Sequence, residues 1–452
     1  RDAQESRGLG DVYKRQKYIR LENYRCFQTF YMEFAPRVNL LVGDNASGKT
    51  SLLLAMRTAL SAFFLGYSDE NTRFLGISKE DFTLLDNEYS YMNEKPIRIE
   101  FDYEGYVLPN EITTAILELR SKKSRTVVAG AKDYKVATKE MYNTLFDSSM
   151  SHQNLALPLF ACFSTEDIHV PRRKINGQPF KQYKHKPSFG YYECLSGDGF
   201  FPYWIDRLLI LAEKEFNHPE IKGVNDAIKR ALGPQGCNII SKISVRPYKG
   251  GVFFHFTDGR EVDAKSLSDG YKRLVNIVMD LAFRCLLLNQ SAWGGDAIRR
   301  TTGTVLIDEI DLHLHPTLQA SVIRGLRRAF PKLQFIITTH APMVMSSIED
   351  KPDNRIFKMA YSPEQGYTQT QISTFGMDAS TIIKMELGQT PRDTQVQGWL
   401  DEIFNLIDEE KFAEAKEKLL GLRQSLKGYI PELTQAETMI NLMEAPFNEK
   451  DN

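Results

Sequence analysis

Cysteine is sparse, five in 452 residues, and scattered. Cys26, Cys162, Cys194, Cys237 and Cys285 never stand as C-x-x-C. That excludes a dense disulfide framework and a cysteine zinc knuckle, and it points to a reducing compartment. An excess of one charge is lacking too. The formal net charge is −1, so contact with nucleic acid needs a local patch. No apolar run approaches the roughly 20 residues of a membrane span, and no signal-peptide pattern opens the chain. The expectation is a cytoplasmic protein with no membrane partner. No heptad repeat is sustained between residue 50 and Ser266, which excludes coiled-coil arms there. The length has room for about two to three domains.

What is present begins at residue 40. Leu40-Leu41-Val42 reads as a buried strand running into Gly43-Asp44-Asn45-Ala46-Ser47-Gly48-Lys49-Thr50, G-x-x-x-x-G-K-T, then Ser51 and an apolar helix over 52–64. The glycines let backbone N–H groups turn toward an anion, and the helix start adds the positive end of its dipole. Lys49 then reaches the β- and γ-phosphates of a nucleoside triphosphate, with the Thr50 hydroxyl on Mg²⁺. A glycine-rich turn before an ordinary helix is the bland reading; the strand–loop–helix context outweighs it.

Three later stretches carry the same chemistry. Ser268-Asp269-Gly270-Tyr271 precedes an apolar helix over 274–288, so the Ser268 hydroxyl and Gly270 N–H stand at a helix N-terminus suited to a γ-phosphate; a plain N-cap is the alternative. Thr304-Val305-Leu306-Ile307-Asp308-Glu309 is an apolar strand ending in two carboxylates. Asp308 suits the Mg²⁺ hydration shell opposite Thr50, and Glu309 the attacking water as general base. Phe335-Ile336-Ile337-Thr338-Thr339-His340 is a further buried strand ending in histidine. His313 and His315 lack a third ligand nearby, so a metal pair is disfavoured.

The order of phosphate loop, S-x-G, D-E and T-H resembles the ABC-type ATPases of the RecF/SMC/OLD branch over about residues 17–350. Ser268 and Gly270 match the L-S-G-G-Q signature, with Asp269 and Tyr271 departing from it. Ile19-Arg20-Leu21-Glu22-Asn23-Tyr24-Arg25-Cys26-Phe27 looks like the branch's I-x-L-x-N-[FY]-R-x-F opening. Asp308-Glu309-Ile310-Asp311 with His313-Leu314-His315-Pro316 matches its D-E-x-x-x-x-L-H-P form. The whole is similar to stand-alone bacterial ATPases such as the PtuA-like ATPases of Septu and retron-associated phage defence.

The resemblance implies an α/β fold: an ABC-type P-loop NTPase head with a mostly parallel core sheet flanked by helices, an antiparallel β entry, helical insertions and a C-terminal helical hairpin. It implies hydrolysis of ATP to ADP and phosphate with Mg²⁺, Glu309, His340 (as switch histidine) and Lys49 acting at the phosphates. It also implies a head-to-tail homodimer or higher oligomer, because Ser268 and Gly270 meet nucleotide on a second copy's loop. His313 and His315 then lie in the D-loop at the dimer seam. A separately encoded effector such as an HNH nuclease is the implied partner. Tyr24, Arg25 and Phe27 are candidates to touch the base, against hairpin core. The lid glutamine stays open among Gln153, Gln178 and Gln182.

The expected divisions are a leader at 1–16, read as vector- or assembly-derived or as a disordered native tail; the N-terminal half of the head at 17–105; a helical lid insertion at 106–235; the C-terminal half at 236–388; and a helical tail at 389–452. Helical spacing is read over 111–122, 201–216, 225–232 and 376–387. Short strands are read over 344–348, 355–361 and 367–372. In the acidic tail, helices are read over 396–407, 411–426 and 433–443, either packing on the head or docking a partner. The tail lacks a D-x-D strand end, so no built-in nuclease is expected. The stretch 171–186 carries Arg172, Arg173, Lys174, Lys181, Lys184 and Lys186 with Phe180 and Tyr183 between them. It suits nucleic acid in an alternative reading, a RecF-like DNA-binding ATPase in repair, or else a solvated loop or a γ-phosphate or inter-subunit contact. A transport ATPase bound to membrane subunits is the third reading.

Overall fold

The computed structural model describes residues 15–83, 95–104, 114–146, 155–164, 186–197, 200–214, 218–249 and 251–444. The chain separates into two compact units, Arg1–Ala379 and Ser380–Asn452.

Four strands of the first unit are buried at every residue: β3 (Val38–Val42), β6 (Leu159–Phe163), β10 (Gly303–Ile307) and β11 (Leu333–Thr338). Strands buried on both faces belong in a parallel sheet covered by helices. They lie in the order β13-β12-β3-β11-β10-β6, where β12 (Asn354–Ser362) is parallel to β3 and only the edge strand β13 (Gly366–Ile372) runs antiparallel. The loops that follow β3, β10 and β11 therefore leave one edge of the sheet together. A second, antiparallel sheet has the order β2 (Phe27–Glu33), β1 (Arg15–Tyr24), β4 (Ile97–Glu104), β5 (Thr114–Leu119), and a third joins β7 (Ile240–Arg246), β8 (Gly251–Phe256) and β9 (Glu261–Asp263).

Helices α1 (Lys49–Ser61), α2 (Lys132–Phe146), α3 (Phe201–Lys214), α4 (Pro219–Leu232), α5 (Asp269–Trp293) and α6 (Val322–Ala329) complete this unit's longer elements. The stretch holding α5 is long and apolar enough to cross a membrane, but 78% of its apolar window is buried inside the protein. It is a core helix. Its buried Asp280 accepts from Trp204 Nε1 (2.7 Å) and Arg284 Nε (2.6 Å), and Arg284 Nη1 donates to Gly190 O and Tyr192 O. Removing one partner of such a buried pair costs about 3–5 kcal/mol, because the other charge is left uncompensated.

A buried polar knot fastens the second sheet to the first. Gln334 Oε1 accepts from Gln16 N (2.9 Å) and Thr304 Oγ1 (2.8 Å), while Gln334 Nε2 donates to Gln16 O and Ala35 O, both at 2.9 Å. Residues 1–14 of the expected leader lie outside the described residues, and its last two, Arg15 and Gln16, are the first residues of β1, paired with Glu104 and Tyr103. A polar, charged stretch hid a strand whose burial depends on backbone partners far along the chain.

Other expectations also give way. The spacing over 111–122 predicts a helix, but β5 is a strand with Ala115, Leu117 and Leu119 buried on one face; period 2 outranks the helical spacing. The stretch 106–235 holds the strand β5 as well as α2, α3 and α4, and the apolar run ending at Phe163 forms the strand β6. The strand expected at 344–348 is a helical turn, Pro342–Met345, with proline at its start. The helix expected over 376–387 reduces to Ala379–Thr381 followed by a π-turn, Ile382–Glu386. The basic segment 171–186 (Lys186 excepted), Gln153, Gln178 and Gln182 lie outside the described residues.

Among its described residues the second unit holds three longer helices, α7 (Thr394–Asp408), α8 (Phe412–Ser425) and α9 (Pro431–Glu444), as the spacing in the tail predicts. Leu400, Ile403, Ile407, Leu419, Leu433 and Ile440 share one buried core. Asp393 caps α7 by accepting from Gln395 N and Val396 N, and Arg423 pairs with Glu437 across α8 and α9.

Candidate functional site

After Val42 the chain turns through Gly43 (φ 142°), Ala46 (φ 64°) and Gly48 (φ 92°) into α1. Only glycine fits at position 48, where a Cβ would lie 2.7 Å from Phe27 Cζ. At Gly43 it would lie 2.2 Å from Met359 O. The loop is thus packed between β2 and β12, with Asp44, Asn45 and Ala46 exposed at its tip, Ser47 buried, and Thr50 and Ser51 half-buried. Lys49 is buried, and its Nζ donates to Gly43 O (2.9 Å), Asp44 O (2.7 Å) and Ser47 Oγ (3.3 Å). Burial pulls the Lys49 pKa down, opposed by Asp308, Asp44, Glu309 and Asp311. Helix α1 has no acidic residue in its first turn and no side-chain cap. Its positive end and the Lys49 ammonium suit the same anion.

Beside the loop stand the residues that end β10 and β11. Thr50 Oγ1 lies 3.4 Å from Asp308 Oδ2. Thr338 Oγ1 donates to Asp308 Oδ1 (2.6 Å) and accepts from Glu309 N (2.7 Å), so one hydroxyl holds both acidic residues in register. Asp308 is buried and Glu309 half-buried, the latter with φ 48°. Hydroxyl and carboxylate oxygens brought together this way fit a hard divalent cation, and Mg²⁺ is the fit for Thr50 and Asp308. Among the described residues no group of three His, Cys, Asp or Glu that could hold a metal is present. His315 caps a short turn by accepting from Thr317 N.

The S-x-G stretch approaches the carboxylates from another side. Ser268 is the N-cap of α5, exposed and without a side-chain cap bond; Gly270 is buried, and a Cβ on it would lie 2.2 Å from His313 O. One turn further, Arg273 Nη2 donates to Asp308 O and, at 3.0 Å, to Glu309 O. Arg273 Nε is buried without a hydrogen-bond partner. Burial lowers the Arg273 pKa, opposed first by Glu309 and then by Asp308 and Asp311. Asp311 accepts from Thr339 Oγ1 (2.5 Å), which fixes the turn just before the exposed His340.

The structure thus gathers Lys49, Thr50, Asp308 and Glu309. Ser268 joins that group only through its own helix, by way of Arg273. Sequence reasoning passed over Thr338 and Arg273. Their signal was the polar residue inside an apolar strand and the cation one turn after S-x-G, neither readable without the fold. Tyr24 and Phe27 belong to the core, at 1% and 0% exposure, and Arg25 Nε pairs with Asp81 (2.7 Å).

A family model described as "AAA domain, putative AbiEii toxin, Type IV TA system" matches residues 38–346. The chain is 25% identical over 468 residues to the Retron Ec83 probable ATPase of Escherichia coli, covering 89% of this chain and 82% of that protein. It is 35% identical over 135 residues to the Retron Vc95 probable ATPase of Vibrio cholerae, where 30% of this chain and 25% of that protein are covered. With the Septu protein PtuA of Bacillus mycoides it shares 37% identity over 100 residues, 22% of this chain and 13% of that protein.

Proposed function

The chain belongs to the AAA-domain family described as a putative AbiEii toxin of a type IV TA system, on the RecF/SMC/OLD branch of the ABC-type ATPases, and from that premise we propose a Mg²⁺-dependent ATPase that joins a second copy of itself on binding ATP and controls a separate effector in anti-phage defence. One observation carries the chemistry: Thr338 ties Asp308 and Glu309 together beside Thr50.

Lys49 and the backbone of residues 43–51 bind the phosphates. Thr50 and Asp308 would hold the Mg²⁺, which when bound would supply neutralisation of the negative charge of the triphosphate. Glu309 takes a proton from water as its oxygen bonds to the γ-phosphorus. The bond from that phosphorus to the β–γ bridging oxygen breaks, giving ADP and phosphate. His340, exposed after β11, contacts the γ-phosphate and reports its loss. The exposed, uncapped hydroxyl of Ser268 supports a role for this stretch, with Gly270, on the nucleotide of a second copy. The retron and Septu relatives support the defence role, and the effector, such as an HNH nuclease, is what the sequence resemblance implies.

Glu309→Gln tests the reading. It leaves ATP binding and ATP-dependent pairing of copies intact and lowers turnover by about 10²–10⁴-fold. Hydrolysis at the wild-type rate would sink the base assignment. For the defence role, co-expression with the neighbouring gene products restricts phage plating, and Lys49→Ala abolishes that; plating unaffected by the intact set overturns it.

A further inference from the structure

The loop and the carboxylates account for the phosphate end of a nucleoside triphosphate, and the buried Tyr24 and Phe27 leave its base without a seat. We propose that the base stacks on Tyr367 in the groove between β2 and β13, with Tyr361 beside it and a purine as the chemical class. This rests on the ATPase reading above.

The polarity of the site sets the direction. The γ-phosphate end lies toward Thr50, Asp308 and Glu309, so the nucleoside leaves the loop on its other wall, formed by the start of β2 and the end of β12. There Gly48 meets the Phe27 ring and Cys26 Sγ, and Gly43 meets Met359 O. A Cβ on Gly48 would lie 3.3 Å from Cys26 Sγ and 2.7 Å from the Phe27 ring, and that ring packs against Tyr367. One aromatic ring, that of Phe27, therefore stands between the loop and the Tyr367 ring.

That ring is held as a platform. It sits edge-on to the Phe27 ring at 5.3 Å and 4.8 Å from the Tyr361 ring. Phe27 is buried, whereas Tyr361 is 58% exposed, so the pair offers a rigid aromatic face backed by core. Beyond it opens a groove of about 430 Å³ lined by Arg20, Thr29, Tyr31, Gln365, Tyr367 and Gln369. A π-face suits any base, and a purine covers more of it. Side-chain amides, which both donate and accept, suit the base edge.

The test uses the full chain with Mg²⁺ and compares affinity for ATP with affinity for inorganic tripolyphosphate, which has no base. In Tyr367→Ala, ATP affinity falls by about ten-fold or more while tripolyphosphate affinity holds; Tyr367→Phe keeps both. Lys49→Ala weakens both ligands. Unchanged ATP affinity in Tyr367→Ala overturns the proposal, as does an equal loss of both ligands, which makes the ring a support for the loop. A wild-type chain that binds neither ligand overturns the ATPase reading itself.

Discussion

Arg273 Nη2 donates to the main-chain carbonyl of Glu309 at 3.0 Å, so the residue proposed to activate water is fastened to the helix that carries Ser268. The same nitrogen donates to Asp308 O. Because Glu309 holds φ 48°, its carboxylate direction depends on those backbone anchors and on Thr338 Oγ1. In the proposed reading, a contact made at Ser268 reaches the geometry of hydrolysis through one turn of α5 and Arg273.

Replacing Arg273 separates that coupling from binding. Arg273→Ala leaves two carbonyls without their charged donor, worth about 1.5–3 kcal/mol. The expected result is kcat reduced by about 10-fold or more with ATP affinity nearly unchanged. Steady-state kinetics alongside equilibrium nucleotide binding would check it. A matched loss in both would place Arg273 among residues that merely hold the fold.

The protonation of Lys49 gives a second prediction with two opposite signs. Its folded pKa is below the ordinary lysine value of 10.5. Between the folded value and 10.5 the unfolded chain binds more protons at this site, so the site's contribution to stability rises with pH in that window. Phosphate binding needs the ammonium, so ATP affinity falls across the same window. Lys49→Arg, with a guanidinium that does not titrate there, removes both slopes. Thermal unfolding and ATP titrations between pH 8 and about 10.5 would check it; identical slopes in wild type and Lys49→Arg would refute it.

How much of this was legible depends on whether the physics was local. Gly43 to Thr50 could be read directly, because the turn, the glycines and the lysine lie in one stretch and serve one anion. The acids at 308 and 309 were legible for the same reason, as the abrupt end of an apolar strand. Thr338 and Arg273 were not, since each acts on residues about thirty positions away. Tyr24, Arg25 and Phe27 are candidates for the base only through the resemblance, with hairpin core as the alternative; in the fold Tyr24 and Phe27 are core, Phe27 lies beneath Gly48, and an aromatic from β13 lies beside it. The strand at Arg15 and Gln16 was invisible because its reason for being buried is an amide at residue 334.

That amide gives the last prediction. Gln334 joins Gln16, Ala35 and Thr304, which come from β1, the turn before β3, and β10. Gln334→Leu keeps the volume but takes the side-chain partner from Gln16 O and from the Thr304 hydroxyl and leaves Gln16 N only Thr304 Oγ1 at 3.4 Å, while Ala35 O keeps Asn39 Nδ2. Each such group costs about 1–3 kcal/mol when it cannot reach water. Thr304→Val removes only one hydroxyl from the knot and costs about 1 kcal/mol. Calorimetry or denaturant melts should therefore rank Gln334→Leu well below Thr304→Val, and both below wild type. Lys49 and Asp308 lie outside the knot, so ATP affinity of the folded fraction is expected to hold in both variants. If Gln334→Leu melted with wild type, the two sheets would be joined by apolar packing alone, and the strand at residue 15 would owe nothing to this residue.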